Sequence, residues 1–121
     1  AYQADGRVKE AIKLLEHVVE VREGILDEGH PDRLASQHVL AVVYRADGRV
    51  KEAIKLLEHV VKVEEGTLDE GHPSRLASQH VLAGAYQADG RVKEAIKLLE
   101  HVVEVQEDTL DEGHPDRLAS Q

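Results

Sequence analysis

Apolar residues in the first part of the chain recur at the helical interval and not with the alternation of a strand. Val8, Ala11, Ile12, Leu15, Val18 and Val19 form one stripe, widened by Leu14 and Val21, while Lys9, Glu10, Lys13, Glu16 and Glu20 take the opposite side. This spacing predicts an amphipathic helix, helix B, from about Arg7 to Gly24, with an apolar face wide enough to meet neighbours on two sides. Leu34, Leu40, Ala41 and Tyr44 form a second set and predict helix A from about Pro31 to Ala46. Gly29-His30-Pro31 marks the start of helix A: Pro suits a first helical turn, and Asp32 suits the positive end of the helix. Asp5-Gly6 and Asp47-Gly48 read as stops between an A helix and the B helix after it, because glycine tolerates the left-handed conformation that ends a helix.

The A–B pattern repeats. Tyr2, Tyr44 and Tyr86 are spaced 42 positions apart, as are Gly6, Gly48 and Gly90, and His30, His72 and His114. Residues 1–42 differ from residues 43–84 only at 1/43, 3/45, 20/62, 22/64, 25/67, 32/74 and 42/84. A hairpin with so wide an apolar face cannot cover itself, so adjacent hairpins are expected to stack along one axis. The expected organisation is one array spanning 1–121, with periods 1–42, 43–84 and 85–121. The fold class is expected to be all-α, a solenoid of antiparallel helix pairs.

From helix A into helix B, Leu40, Ala41, Tyr44, Gly48, Ala53 and Leu57 stand at the spacing of the tetratricopeptide signature. The whole chain resembles tetratricopeptide-like repeat proteins. Its 42-residue period and the segment DEGHPDRLASQHVLAVVYRADGRVKEA are more specifically similar to the long-repeat class of kinesin light chains and of the repeat tails of fungal and bacterial NLR-like signalling proteins. The resemblance implies a right-handed superhelix whose A helices line a concave groove for peptides or proteins. On that geometry the candidate groove residues are Gln3, His38, Val42, Arg45, His80, Gly84 and Gln87. Where kinesin light chains carry paired Asn, this chain has His38-Val39 and His80-Val81. Where carboxylate clamps carry Lys, Asn and Arg, it has Ala35, His38, Val39 and Val42, then Ala77, His80, Val81 and Gly84.

Composition narrows the choice. The chain has no Phe, Trp, Cys or Met, so the interior must be aliphatic and thin-layered, with no disulfide, thiolate metal site or thiol nucleophile. A net charge of −9 opposes the contacts on which nucleic-acid and anionic-membrane binding depend, so neither partner is expected. No apolar run approaches the roughly 18 residues of a membrane span. Lacking an initiator Met and a signal segment, the chain reads as a piece of a longer protein, with a cytoplasmic address.

No residue pattern reads as catalytic, and no cofactor or metal is expected. His17, His30 and His38 recur at the 42-residue interval without an i, i+4 pair, and LDEGHPD lacks the alternating oxygen ligands of a calcium loop. Ser36 and Ser78 precede a His by two residues within a helix, without a nucleophile elbow. The expected function is a non-catalytic protein or peptide interaction scaffold. The alternative is head-to-tail self-association, since the chain is expected to begin in the last turn of one A helix and to end inside another begun at Pro115.

Overall fold

The computed structural model describes the backbone of residues 2–113 and the side chains of residues 6–108. Among these residues every regular element is an α-helix: α1 (Tyr2–Ile25), α2 (Pro31–Ala46), α3 (Val50–Thr67), α4 (Pro73–Ala88) and α5 (Val92–Gly113). They fall into two compact units, 1–67 and 68–121. In the first, α2 packs on both α1 and α3; in the second, α4 packs on α5.

Local chemistry fixes the ends of α2 and α4. At each start an imidazole caps the helix: His30 Nδ1 accepts from the Asp32 N–H and His72 Nδ1 from the Ser74 N–H, both at 3.1 Å, with Pro in the first turn. At each end Gly48 and Gly90 adopt φ of 83° and 81°. The Arg49 N–H then reaches back to the Tyr44 carbonyl and the Arg91 N–H to the Tyr86 carbonyl, both at 2.8 Å, closing the end of each helix.

Two boundaries differ from the sequence expectation. Asp5-Gly6 is not a stop, because α1 runs through it; Gly113, the counterpart of the loop glycines Gly29 and Gly71, closes α5 as a helical residue. The same words therefore make a turn in one place and a helix in another. A glycine stop works where several turns of packed helix lie upstream to supply the acceptors, and at Gly48 the buried Leu40 and Ala41 hold α2 in place. At Gly6 the helix continues, and its backbone groups are satisfied within the helix.

Aliphatic contacts make each core. In the first unit Ile12 and Val19 of α1 meet Leu40 of α2, with Val8, Leu15, Val43, Tyr44 and Leu56 around them; Leu34 of α2 meets Val60 and Val63 of α3. In the second unit Leu76 of α4 meets Val102 and Val105 of α5. Leu14 and Val21, expected to widen the apolar stripe, are exposed on α1.

Candidate functional site

The sequence candidates resolve into two stripes, one on each A helix. His38, Val42 and Arg45 lie four and three residues apart on α2, and His80, Gly84 and Gln87 repeat that spacing on α4, so each trio shares one helix face. Gln3 is in the first turn of α1, and its side chain is outside the described ones. Val42, Arg45, His80 and Gln87 are exposed, whereas His38 and Gly84 are partly buried.

The two histidines, alike in sequence, differ in setting. Burial pushes the His38 imidazole below its ordinary 6.5, favouring the neutral ring, and its Nε2 is buried without a hydrogen-bond partner. His80 is open to solvent. The chemistry on offer therefore varies between stripes. α2 presents an apolar Val beside a guanidinium, and α4 presents a glycine beside a neutral amide.

Behind these open faces, α2 is held rigidly in the first unit. Its Gln37 is buried, with Nε2 donating to Glu23 at 2.9 Å and Oε1 left without a partner. The Tyr44 hydroxyl donates to Glu16 at 2.6 Å. Burial first, then that hydrogen bond, pushes the Tyr44 phenol up to about 12. The Arg49 guanidinium lies 4.5 Å from the Tyr44 ring centroid and forks onto Glu52 at 2.8 and 2.6 Å; Arg91 does the same with Tyr86 and Glu94 at identical distances. The Arg33 Nη1 clips the loop at the Leu26 carbonyl, and Arg75 does so at Leu68.

Gln37 and Gln79 escaped the sequence reading, although a signal was present. Residues 34, 37, 41 and 44 fall on one helix face, so a glutamine there, repeated at 79, stands among core positions. The Ser36 hydroxyl is committed to the Arg33 carbonyl at 2.8 Å, which is a helical back-bond and not a nucleophile's setting. Among the described residues no three His, Asp or Glu side chains gather as metal ligands, and no helix is long and apolar enough to cross a membrane.

The family model of the tetratricopeptide repeat matches residues 1–65 and again 40–108, together nearly the whole described chain. The chain belongs to the tetratricopeptide repeat family. Its all-α hairpins and glycine-closed A helices are the repeats of that family, whose members generally mediate contact between proteins or serve as scaffolds. This tetratricopeptide chain is also similar to a solved structure from Podosopora anserina, described as a kinesin light chain with nearly identical tetratricopeptide-like repeats. The identity is 57% over 98% of the chain, with a TM-score of 0.83. A point variant of that protein matches at 56% identity over 98% of the chain, with a TM-score of 0.84. The chain spans 56% of the length of each. No curated protein matches it.

Proposed function

We propose that this tetratricopeptide chain is a non-catalytic scaffold that binds a protein or peptide through its A helices. The contact residues are His38, Val42 and Arg45 on α2, His80, Gly84 and Gln87 on α4, and Gln3, with the periods 1–42, 43–84 and 85–121 serving one array. The observation that carries this reading is that the presented face differs between copies: Val42 becomes Gly84 and Arg45 becomes Gln87, while the capping histidines, the Tyr–Arg–Glu clusters and the buried Gln37 and Gln79 stay fixed. A scaffold that holds its frame and varies its presented side chains suits recognition. A charge of −9 argues against nucleic acid and anionic membrane as partners, and a cysteine-free chain suits the cytoplasm. The test is a peptide array probed with the chain and with the triple variant His38→Ala, Arg45→Ala, His80→Ala. Binding should weaken severalfold; specific binding untouched by the three changes removes these residues from the contact surface.

A second reading, self-association of copies head to tail, is favoured by one observation. α5 carries Val92, Ile96 and Val103 exposed along its length. Concentration-dependent sedimentation tests it.

A further inference from the structure

Two polar residues of α2 carry buried hydrogen-bonding atoms that the fold leaves unanswered. Gln37 is 1% exposed; its Nε2 donates to Glu23 at 2.9 Å, and its Oε1 has no partner. Arg33, one turn earlier, gives Nη1 to the Leu26 carbonyl at 3.1 Å, while its buried Nε–H has no acceptor. The same two atoms are unanswered on α4, at Gln79 and Arg75, so the pair belongs to the repeat and not to the surroundings of one copy. A buried donor and a buried acceptor left open side by side each carry the cost of desolvation, and together they ask for one group that offers both functions.

On α2 the pair lines a cleft walled by three helices of the first unit. Glu23 of α1 stands beside Arg33 and Gln37, Leu40 and Leu56 make the apolar wall, and Glu52 and Lys55 of α3 complete it. At about 100° of turn per residue, positions 33, 37, 40 and 44 point on average about 135° round α2 from positions 38, 42 and 45. The cleft and the proposed contact face therefore lie on different sides of the helix. Its formal charges cancel, Glu23 and Glu52 against Arg33 and Lys55, which leaves no net attraction for an ion and favours a neutral polar guest.

We propose that this cleft takes the side-chain carboxamide of a glutamine from a partner protein. A primary carboxamide supplies both missing functions: its C=O accepts from the Arg33 Nε–H, one N–H donates to Gln37 Oε1 and the other to the Glu23 carboxylate, while its methylenes lie on Leu40 and Leu56. A carboxylate would bring no donor, and an ammonium no acceptor. Both unanswered atoms are closed to solvent, so the guest reaches them by displacing part of the cleft wall. Gly24, beside Glu23 in the last turn of α1, meets nothing within 4 Å of its Cβ position, and a glycine inside a helix loosens the turn that carries this wall.

Propionamide reproduces that side chain, and N,N-dimethylpropionamide is the same molecule without its N–H donors. In nitrogen-resolved NMR titrations of the full chain, propionamide should move the Gln37 side-chain amide and the Arg33 Nε–H signals saturably, and the dimethyl compound should bind at least about fivefold more weakly. Gln37→Met keeps the side-chain length, removes the acceptor and should weaken propionamide binding by a similar factor. The triple variant His38→Ala, Arg45→Ala, His80→Ala should titrate with propionamide as the parent does, which separates this cleft from the A-helix contact face. An unsaturable response at both signals, equal binding of the two compounds, undiminished binding to folded Gln37→Met, or a bound water at Gln37 that propionamide does not displace overturns the assignment. Because the two compounds are compared on the parent chain, the test stands even if Gln37→Met fails to fold.

Discussion

Helices α1 and α5 carry nearly the same sequence and bury opposite sides of it. On α1, Ile12 and Val19 are buried while Leu14 and Val21 are open; on α5, Val102 and Val105 are buried while Ile96 and Val103 are open. α3, the copy between them in sequence, buries both sets, with Ile54 and Val61 on one side and Val60 and Val63 on the other. Helix B is thus a two-faced element. One face, through Val60 and Val63 or Val102 and Val105, meets the A helix before it; the other, through Ile12 and Val19, meets the helices that follow. Neighbours, and not residue identity, set how much each side chain contributes to stability, as expected where energy resides in nearest-neighbour interfaces.

The sharpest way to break this comparison is to make one substitution in two copies. Ile12→Ala removes a fully buried side chain and should destabilise the chain by about 3 kcal/mol. Ile96→Ala removes a half-exposed one and should cost under about 1 kcal/mol at concentrations too low for association. Urea denaturation of the two variants checks this. Equal losses would mean that the stripe on α5 is as well covered as that on α1.

Next in size is Tyr44→Phe, which deletes the hydroxyl held by Glu16 and should cost about 1 kcal/mol near neutral pH. Its pH dependence has a definite sign. The phenol is raised from 10.0 to about 12 in the folded chain, so the folded state favours the protonated ring. The contribution is therefore whole below pH 10 and is lost as pH rises through about 12. The stability difference between the parent and Tyr44→Phe should shrink over that interval in parallel denaturation series. A difference constant to pH 12 would remove the Glu16 contact from the account.

Where the sequence could be read, the determinants were local. α2 spans the predicted Pro31–Ala46 because its imidazole cap, proline and closing glycine all lie within a few residues of its ends. The stripes on α2 and α4 were readable for the same reason, since spacing along one helix determines a shared face. What could not be read depends on neighbours. The difference between half-buried His38 and exposed His80 arises inside identical SQHVLA segments. The Tyr44–Glu16 bond spans 28 residues and the Gln37–Glu23 bond spans 14, and neither has a local signature. Asp5-Gly6 shows the converse: turn chemistry was present, yet α1 runs through it.

A third prediction sharpens the contrast between local and neighbour-dependent features. His30 and His72 cap with the same 3.1 Å geometry, so His30→Ala and His72→Ala should each cost about 1 kcal/mol, and Asn at either site should restore most of it. The two losses should match in thermal melts, although the flanking helices differ. A cap that mattered in one copy alone would show that packing reaches even these backbone contacts.

The smallest effect belongs to the exposed Arg–Glu forks, and it is the cleanest probe of local control. The hydrogen bond from Arg49 holds the Glu52 carboxyl below its ordinary 4.5, and Arg91 does the same for Glu94. A depressed carboxyl stabilises the fold above its ordinary value, and that help disappears as pH falls through the lowered one. Solvent screening at these open sites keeps the gain slight, so stability is a poor readout and titration a good one. In an NMR titration of the side-chain carboxyl carbons, Glu52 and Glu94 should titrate together, below the ordinary 4.5. Arg49→Gln should move Glu52 up towards its ordinary value and leave Glu94 unmoved, because each fork is built wholly within its own turn, from one arginine and the glutamate three residues on. If the two carboxyls titrate apart in the parent chain, the neighbour dependence that divides α1 from α5 extends to the surface clusters as well.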